Sequence, residues 1–547
     1  MARRRFHGAR TKGADRTIDR HAALRALDAD DLRAFVIETL DKLEDETRGS
    51  IEDALFRRAA RGGYRPAAPP PELVGEVVDF AAAARRIGYA EPSEVDDYLR
   101  RGVTASLAGE HSTAHAIFEA LLRPIAEAEI DLGQHEMVEE VLSVDLHDCV
   151  ARYLVAVFLE TATASRADAV LAAIEKVHGL GVLVEPIRAM EQAFGRMLPD
   201  IDAFLDAWII RLESSPRHAG GWESEHERWL REAVARRDGT AGLARIARAT
   251  KRHEAVRAWC DAVMKEGDWK KALATYDEAV TLSSSDVWRG GFLDGAALAA
   301  SRLGRKDATK KLEAAWLGAP SLARLLRWLV ADDASGALLR KRAAAALEGS
   351  PARSSRLLAF LHFVTGDVSS AAKALKNAPG LGWSNSDHAG HLLFPVFAWT
   401  LGDQAPGGVR AAVVEVLSVA PGSSFESALY PIDPAATLPT PTVLDVLERI
   451  DVRARLGPQE RTTVLDAMRA AASKRAHGVT GERRRRHYDH AATLAACCVE
   501  VDRNRSAAWF EVLRAETSRF PAFQEALRSA LGDRKRFAPL RSALDGE

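Results

Sequence analysis

Apolar residues recur at intervals of three and four along most of this chain. Between positions 31 and 43, Leu32, Phe35, Val36, Leu40 and Leu43 fall on one stripe, and Asp28 or Asp30 stands where a helix cap belongs. Positions 72–84 repeat the habit with Leu73, Val77, Val78, Phe80 and Ala81. Similar stripes run through 138–158, 168–177, 201–212, 323–330, 409–417, 443–450 and 505–513. Strict alternation of β-branched residues is nearly absent. The one strand-like stretch, GVLVEP at 181–186, serves equally well as a connection between helices. The pattern predicts an all-α fold. HLLFPVFAWTL at 391–401 is the longest apolar run, but a membrane helix needs about 18 residues. With Pro395 inside it, it reads as a buried helix or turn.

Breakers then divide the helical pattern. RPAAPPP at 65–71 must be extended, because consecutive prolines fix φ and remove donors. SSPRHAGG at 214–221 and the stretch 380–387 are loops. Positions 420–442 carry Pro421, Pro431, Pro434, Pro439 and Pro441 and exclude a continuous helix. The expected organisation is a disordered basic tail at 1–28, N-terminal helical repeats at 29–215 and central repeats at 216–420. A Pro-rich linker or docked loop at 421–442 and a C-terminal helical unit at 443–547 complete it.

Within the helical stretches a hairpin grammar recurs. In AWCDAVMKEGDWKKALATYDEAVTLSSSD, 258–286, Gly267 ends one helix, and Ala272, Tyr276 and Ala279 follow on the next. Gly at that point permits the tight turn. The two alanines share a face and let helices approach, while Tyr276 fills the groove between units. Gly109, Ala114, Phe118 and Leu121 follow the same order, as do Gly366, Ala371, Leu375 and Ala378. Gly304, Ala308, Leu312, Ala315 and Pro320 follow it with a shorter turn, and 490–498 is a degenerate fifth copy. The segment 258–286 resembles a tetratricopeptide repeat, with Cys260 and Ser284 departing from that family's usual small residue and proline. The step of 37 residues from Gly267 to Gly304 is near the family period of about 34. Steps of 62 and 158 residues elsewhere make the array irregular. Any antiparallel helix pair needs the same glycine and alanines, so a helical array outside that family satisfies the pattern too. Either way, hairpins that cannot bury an apolar face alone must stack. The resemblance implies an irregular α-solenoid of stacked antiparallel hairpins with a concave face. It also implies a role in binding peptides or proteins, with no catalytic residues.

Composition narrows the function classes. Lys and Arg total 75 against 77 Asp and Glu, for a net charge of −2 over 547 residues. That excludes a uniformly basic nucleic-acid coat and a polyacidic chain. Four cysteines are too few for a disulfide framework and read as core thiols of a reducing, cytoplasmic compartment. MARRRFHGARTKGADR has no apolar stretch after its arginines, so no secretory signal is read. Ala-, Arg- and Leu-heavy usage suggests a GC-rich bacterial genome. The near-neutral sum hides two basic clusters. Residues 1–20 hold seven cations and two acids. The second comprises Arg469, Lys474, Arg475, Arg483, Arg484, Arg485 and Arg486 against Glu482, with AHGVTG at 476–481 reading as a flexible link inside it. Such a cluster can neutralise several phosphates, and the adjacent Tyr488 could stack on a base. An acidic protein partner or plain solvation also suits it.

Motifs for chemistry fail. No phosphate-binding G-x-x-x-x-G-K-[ST] and no G-x-S-x-G elbow occur, and Gly179-Leu180-Gly181 has Val184 in place of a third glycine. HEMVE at 135–139 has Glu139 where a zinc helix needs histidine, with His147 near in sequence. His111 with His115, beside Glu110, and His388 with His391, beside Asp387, would each need a third metal ligand from elsewhere. Cys497 and Cys498 are adjacent and cannot share a metal on a helix. No catalytic, cofactor or metal residue is therefore assigned. Trp222 and Trp229, seven apart in GGWESEHERWLRE, are candidate partner anchors, with core packing the competing role. The expected function is a non-enzymatic scaffold or adaptor for a protein or peptide. The alternative is a nucleic-acid-associated accessory protein using 474–486.

Overall fold

The computed structural model describes residues 20–133, 137–215, 223–349, 354–385, 387–402, 408–422 and 437–531. The N-terminal tail to residue 19, His135, Glu136, Trp222 and most of the Pro-rich segment lie outside the described residues. Described residues are helical, and a lone parallel bridge between Tyr89 and Asp131 is the extent of β pairing among them. Contacts divide the chain into two units, Met1–Gly242 and Leu243–Glu547.

The first unit runs through α1 Arg20–Ala26, α2 Ala29–Asp41, α3 Asp45–Arg61, α4 Leu73–Ile87, α5 Pro92–Ala108 and α6 His111–Ala126. It continues with α7 Val138–Val141, α8 Leu146–Glu160, α9 Arg166–Val177, α10 Pro186–Phe194 and α11 Ile201–Glu213. Each main helix packs on its neighbour or next neighbour in sequence, α5 on α6, α6 on α8, α8 on α9 and α10. The turn at Gly109 adopts φ +89, as the hairpin grammar requires. Gly102 of α5 lets α6 approach: a Cβ there would sit 2.9 Å from the Phe118 ring. Leu99, Ala114, Ile117, Phe118 and Leu121 fill this interface. GVLVEP forms a connection into α10. The next helix, α12 Glu225–Thr250, breaks at Gly239, whose backbone is non-helical.

The second unit holds α13 His253–Lys265, α14 Trp269–Leu282, α15 Asp286–Arg302, α16 Ala308–Gly318, α17 Leu322–Val330, α18 Gly336–Glu348, α19 Ser355–Thr365 and α20 Val368–Asn377. Then follow α21 Gly390–Leu401, α22 Gly408–Val414, α23 Val443–Ile450, α24 Val452–Arg455, α25 Pro458–Gly481, α26 Tyr488–Val501, α27 Arg503–Glu516 and α28 Pro521–Leu531. Gly267 turns between α13 and α14 at φ +76, and Asp268 caps α14 by accepting from Lys270 and Lys271 N–H at 3.0 Å. Ala272 and Ala279 are buried. The Tyr276 ring lies against Gly295 of α15, where a Cβ would come within 2.3 Å of it.

The apolar run 391–401 is α21, buried over most of its length with Pro395 inside. It shares one core with Trp316, Phe360, Phe363, Val446, Leu447, Met468 and Cys497, so helices on both sides of the Pro-rich segment pack together. Arg327 ties the end of that segment down, donating to Thr440 Oγ1 at 2.9 Å and Leu438 O at 3.4 Å. All four cysteines are free and buried, and burial pushes the Cys149, Cys497 and Cys498 thiols up. The stretch 476–481 corrects an expectation: it is the last part of α25, not a flexible link. Ala476 and Val479 are core residues, and Gly478 admits Leu381, 3.2 Å from its would-be Cβ. No helix among the described residues is long and apolar enough to cross a membrane.

Candidate functional site

Helix ends converge in the first unit around an open cleft of about 760 Å³. Gly109 and Gly195, both with positive φ, end α5 and α10 at its wall. Asp145 caps α8 by accepting from Asp148 N–H at 3.0 Å. Buried Asp96 holds the chain just before α8 by accepting from Ser143 and Val144 N–H, both at 3.0 Å. These constraints place helix termini, and with them long polar side chains, on one concave surface.

The wall carries Arg57, Arg58, Arg65, Arg152 and Arg196 against Asp145 and Asp148. Arg57 bonds Asp145, and Arg152, 4 % exposed, bonds Asp148 at 2.8 Å. Burial pulls the Asp145 carboxyl upward, but the Arg57 bond and the Asp148 N–H outweigh it and hold it below the usual carboxylate range. Both acids are thus engaged within the wall. Arg58, Arg65 and Arg196 are exposed and make no ion pair with the described residues. Arg196 instead lies over the Phe194 ring at 4.6 Å. The cleft therefore offers surplus positive charge beside two aromatic surfaces, Phe194 and Tyr64.

The histidine candidates separate. His111 lines the cleft, with Nδ1 buried and unpartnered and its pKa lowered by burial. His115 turns to Glu160 at 2.6 Å. His147 Nε2 lies 3.3 Å from Glu139 Oε2. His388 uses both nitrogens, Nε2 donating to Pro379 O at 2.9 Å and Nδ1 accepting from Gly390 N–H at 3.1 Å. That pattern fixes a neutral ring with no lone pair left for a metal. Among the described residues no group of three His, Cys, Asp or Glu is placed to hold a metal ion.

Of the tryptophan candidates, Trp222 lies outside the described residues. Trp229 is 3 % exposed and stacks on Trp208 with centroids 6.4 Å apart, so it belongs to the core and not to a contact surface.

The basic cluster splits into buried and exposed parts. Lys474 Nζ donates to Lys376 O at 2.8 Å. Arg475 is 4 % exposed, with Nη1 donating to Gly380 O at 3.4 Å. Arg483–Arg486 all stand exposed in the turn after α25, with no ion pair to the described residues. Tyr488 is buried edge-on against Phe523, centroids 5.5 Å apart, and cannot stack on a base. Sequence reasoning missed the cleft entirely, because its residues span positions 54–196 with no local motif.

No family model matches this chain, no curated protein is similar to it, and no solved structure matches it.

Proposed function

We propose that this protein is a non-enzymatic helical-array adaptor that binds an acidic segment of a partner protein in the cleft of its first unit. The observation that carries this reading is the cleft's charge: five arginines line it against two aspartates, and both aspartates are already bonded to Arg57 and Arg152. A cleft of about 760 Å³ lies within the roughly 300–1,000 Å³ typical of ligand sites. Arg58, Arg65 and Arg196 present planar guanidinium forks that match carboxylates two oxygens at a time. Phe194 and Tyr64 add apolar surface for the stems of Glu side chains. Buried free thiols suit a reducing, cytoplasmic setting.

Fluorescence anisotropy with labelled Glu/Asp-rich peptides tests the reading. Binding should weaken at least about tenfold in an R58E/R65E/R196E variant, and should fall with salt because the charges are exposed. Equal binding of acidic and basic peptides, or no effect of the triple variant, would contradict it.

A further inference from the structure

A second cationic site lies wholly within the second unit. Trp383 is buried at its centre, and three imidazoles ring it. His388 is 4.4 Å away, His490 4.9 Å and His391 5.6 Å, measured between ring centroids. The outer edge of the Trp383 ring lies against the start of α21, since a Cβ on Gly390 would fall 2.3 Å from it. This packing brings together the first turns of two helices. His391 is the second residue of α21 and His490 the third of α26. The leading N–H groups of both helices are already engaged, Gly390 by His388 Nδ1 and Tyr488 by Arg485 O, so each first turn contributes the positive end of its dipole.

Arg475 of α25 sits beside these rings. Four other buried arginines face carboxylates: Arg152 meets Asp148, Arg166 meets Asp200, and Arg324 and Arg327 share Asp294. Arg475 faces none. Its Nε is buried without a partner, and so is Trp383 Nε1. A desolvated guanidinium with an unsatisfied donor is costly unless an anion completes it. The neighbouring acid Asp387 is engaged, accepting from Ser354 Oγ and from Ser355 N–H. Burial, with the charges of Arg475, His391, His487 and His388, pushes the His490 pKa down to about 4. Arg484 adds to the field on Arg475, and Arg483–Arg486 extend it across the adjoining turn.

We propose that this surface holds the phosphate backbone of a nucleic-acid strand, one phosphate seated among Arg475, His391 and His490 and its neighbours on Arg483–Arg486. A single small anion would need only the inner groups. The four exposed arginines beside them, unpaired with any described acid, fit a repeating polyanion. Phosphate oxygens accept several hydrogen bonds at once, which suits the exposed His391 and His490 rings on the first turns of two helices and a guanidinium near them. The buried Trp383 and Tyr488 offer no stacking face, so recognition is of backbone and not of base sequence.

The test uses the full-length chain with a labelled mixed-sequence oligonucleotide and a polyglutamate of equal charge, titrated over salt. The oligonucleotide should bind at low salt, and polyglutamate should bind at least about tenfold more weakly. Replacing Arg483–Arg486 together by Ser should weaken the oligonucleotide at least about tenfold. It should also lower the salt slope by about three, since each phosphate contact contributes about 0.7–0.9. Arg475→Lys keeps the charge but loses the fork, and should weaken binding severalfold at unchanged thermal stability. The His490 proton resonance should titrate at higher pH when the oligonucleotide is bound. The R58E/R65E/R196E variant should bind the oligonucleotide normally, which separates this proposal from the acidic-peptide reading. Absence of oligonucleotide binding at low salt, equal binding of polyglutamate, or an unchanged salt slope in the four-arginine variant would overturn it.

Discussion

The two cationic surfaces of this protein are built on opposite principles. In the first unit, acids are folded into the arginine wall. Asp145 and Asp148 hold Arg57 and Arg152 in place, and the surplus cations stand on a pre-ordered surface. In the second unit, the buried Arg475 makes no ion pair with the described residues, and three imidazoles gather on Trp383 nearby. The acids of the first site are satisfied as they stand, and it has charge to spare. The second is unsatisfied until an anion arrives. A buried arginine can therefore serve as a strut or as a receptor, and its acidic neighbour decides which.

Substitutions can break or sharpen that contrast. Asp148→Ala strips the partner from buried Arg152 and should cost about 3–5 kcal/mol, read as a shift of the denaturation midpoint. Gly295→Ala, remote from both sites, should cost about 1–3 kcal/mol by driving a methyl into the Tyr276 ring. It sets the scale for a packing error of ordinary kind.

Glu232 in the first unit and three histidines in the second respond to pH with opposite sign. Burial raises the Glu232 pKa to about 7, against the pull of the Arg188 and Ile187 N–H groups it accepts from. An acid raised in the folded state contributes stability that is full below its unfolded pKa and lost as pH rises through about 7. The first unit should therefore lose on the order of 1–3 kcal/mol between pH 4.5 and 7 from this group. Glu232→Gln should flatten that slope in pH-dependent melts. In the second unit, His388, His487 and His490 are lowered, chiefly by burial. A histidine lowered in the folded state contributes stability that is present above its unfolded pKa and lost as pH falls through the folded value. For His490 that window runs from about 6.5 down to about 4. The smallest effect should come from Arg475→Gln. Removing a buried charge that has no acid should change stability by less than about 1 kcal/mol, in either direction. A loss comparable to that of Asp148→Ala would erase the contrast.

Much of the fold was legible in the chain. The three–four periodicity marked the helices, and the Gly267–Ala272–Tyr276–Ala279 spacing marked a real hairpin. What Tyr276 packs against, Gly295, was not legible, because a helical glycine carries no signal until its neighbour is placed. AHGVTG read as a link because small residues suit both flexibility and close packing. Only the contact of Gly478 with Leu381 distinguishes them. The cleft was illegible because Arg57, Arg152 and Arg196 are ordinary surface residues in sequence, joined only where helix ends meet. The second site was half legible. The arginine run and the His388–His391 pair both stood out, but nothing local said that Trp383 would draw His490 and Arg475 to the same place.

The central claim is that the first unit's cleft captures acidic peptide through arginines left over after Asp145 and Asp148 are satisfied. Its most direct measurement is anisotropy of a labelled Glu/Asp-rich peptide against the native chain and the R58E/R65E/R196E variant at matched thermal stability. The account predicts salt-sensitive binding that weakens at least about tenfold in the variant. Binding of equal strength to both proteins would contradict it.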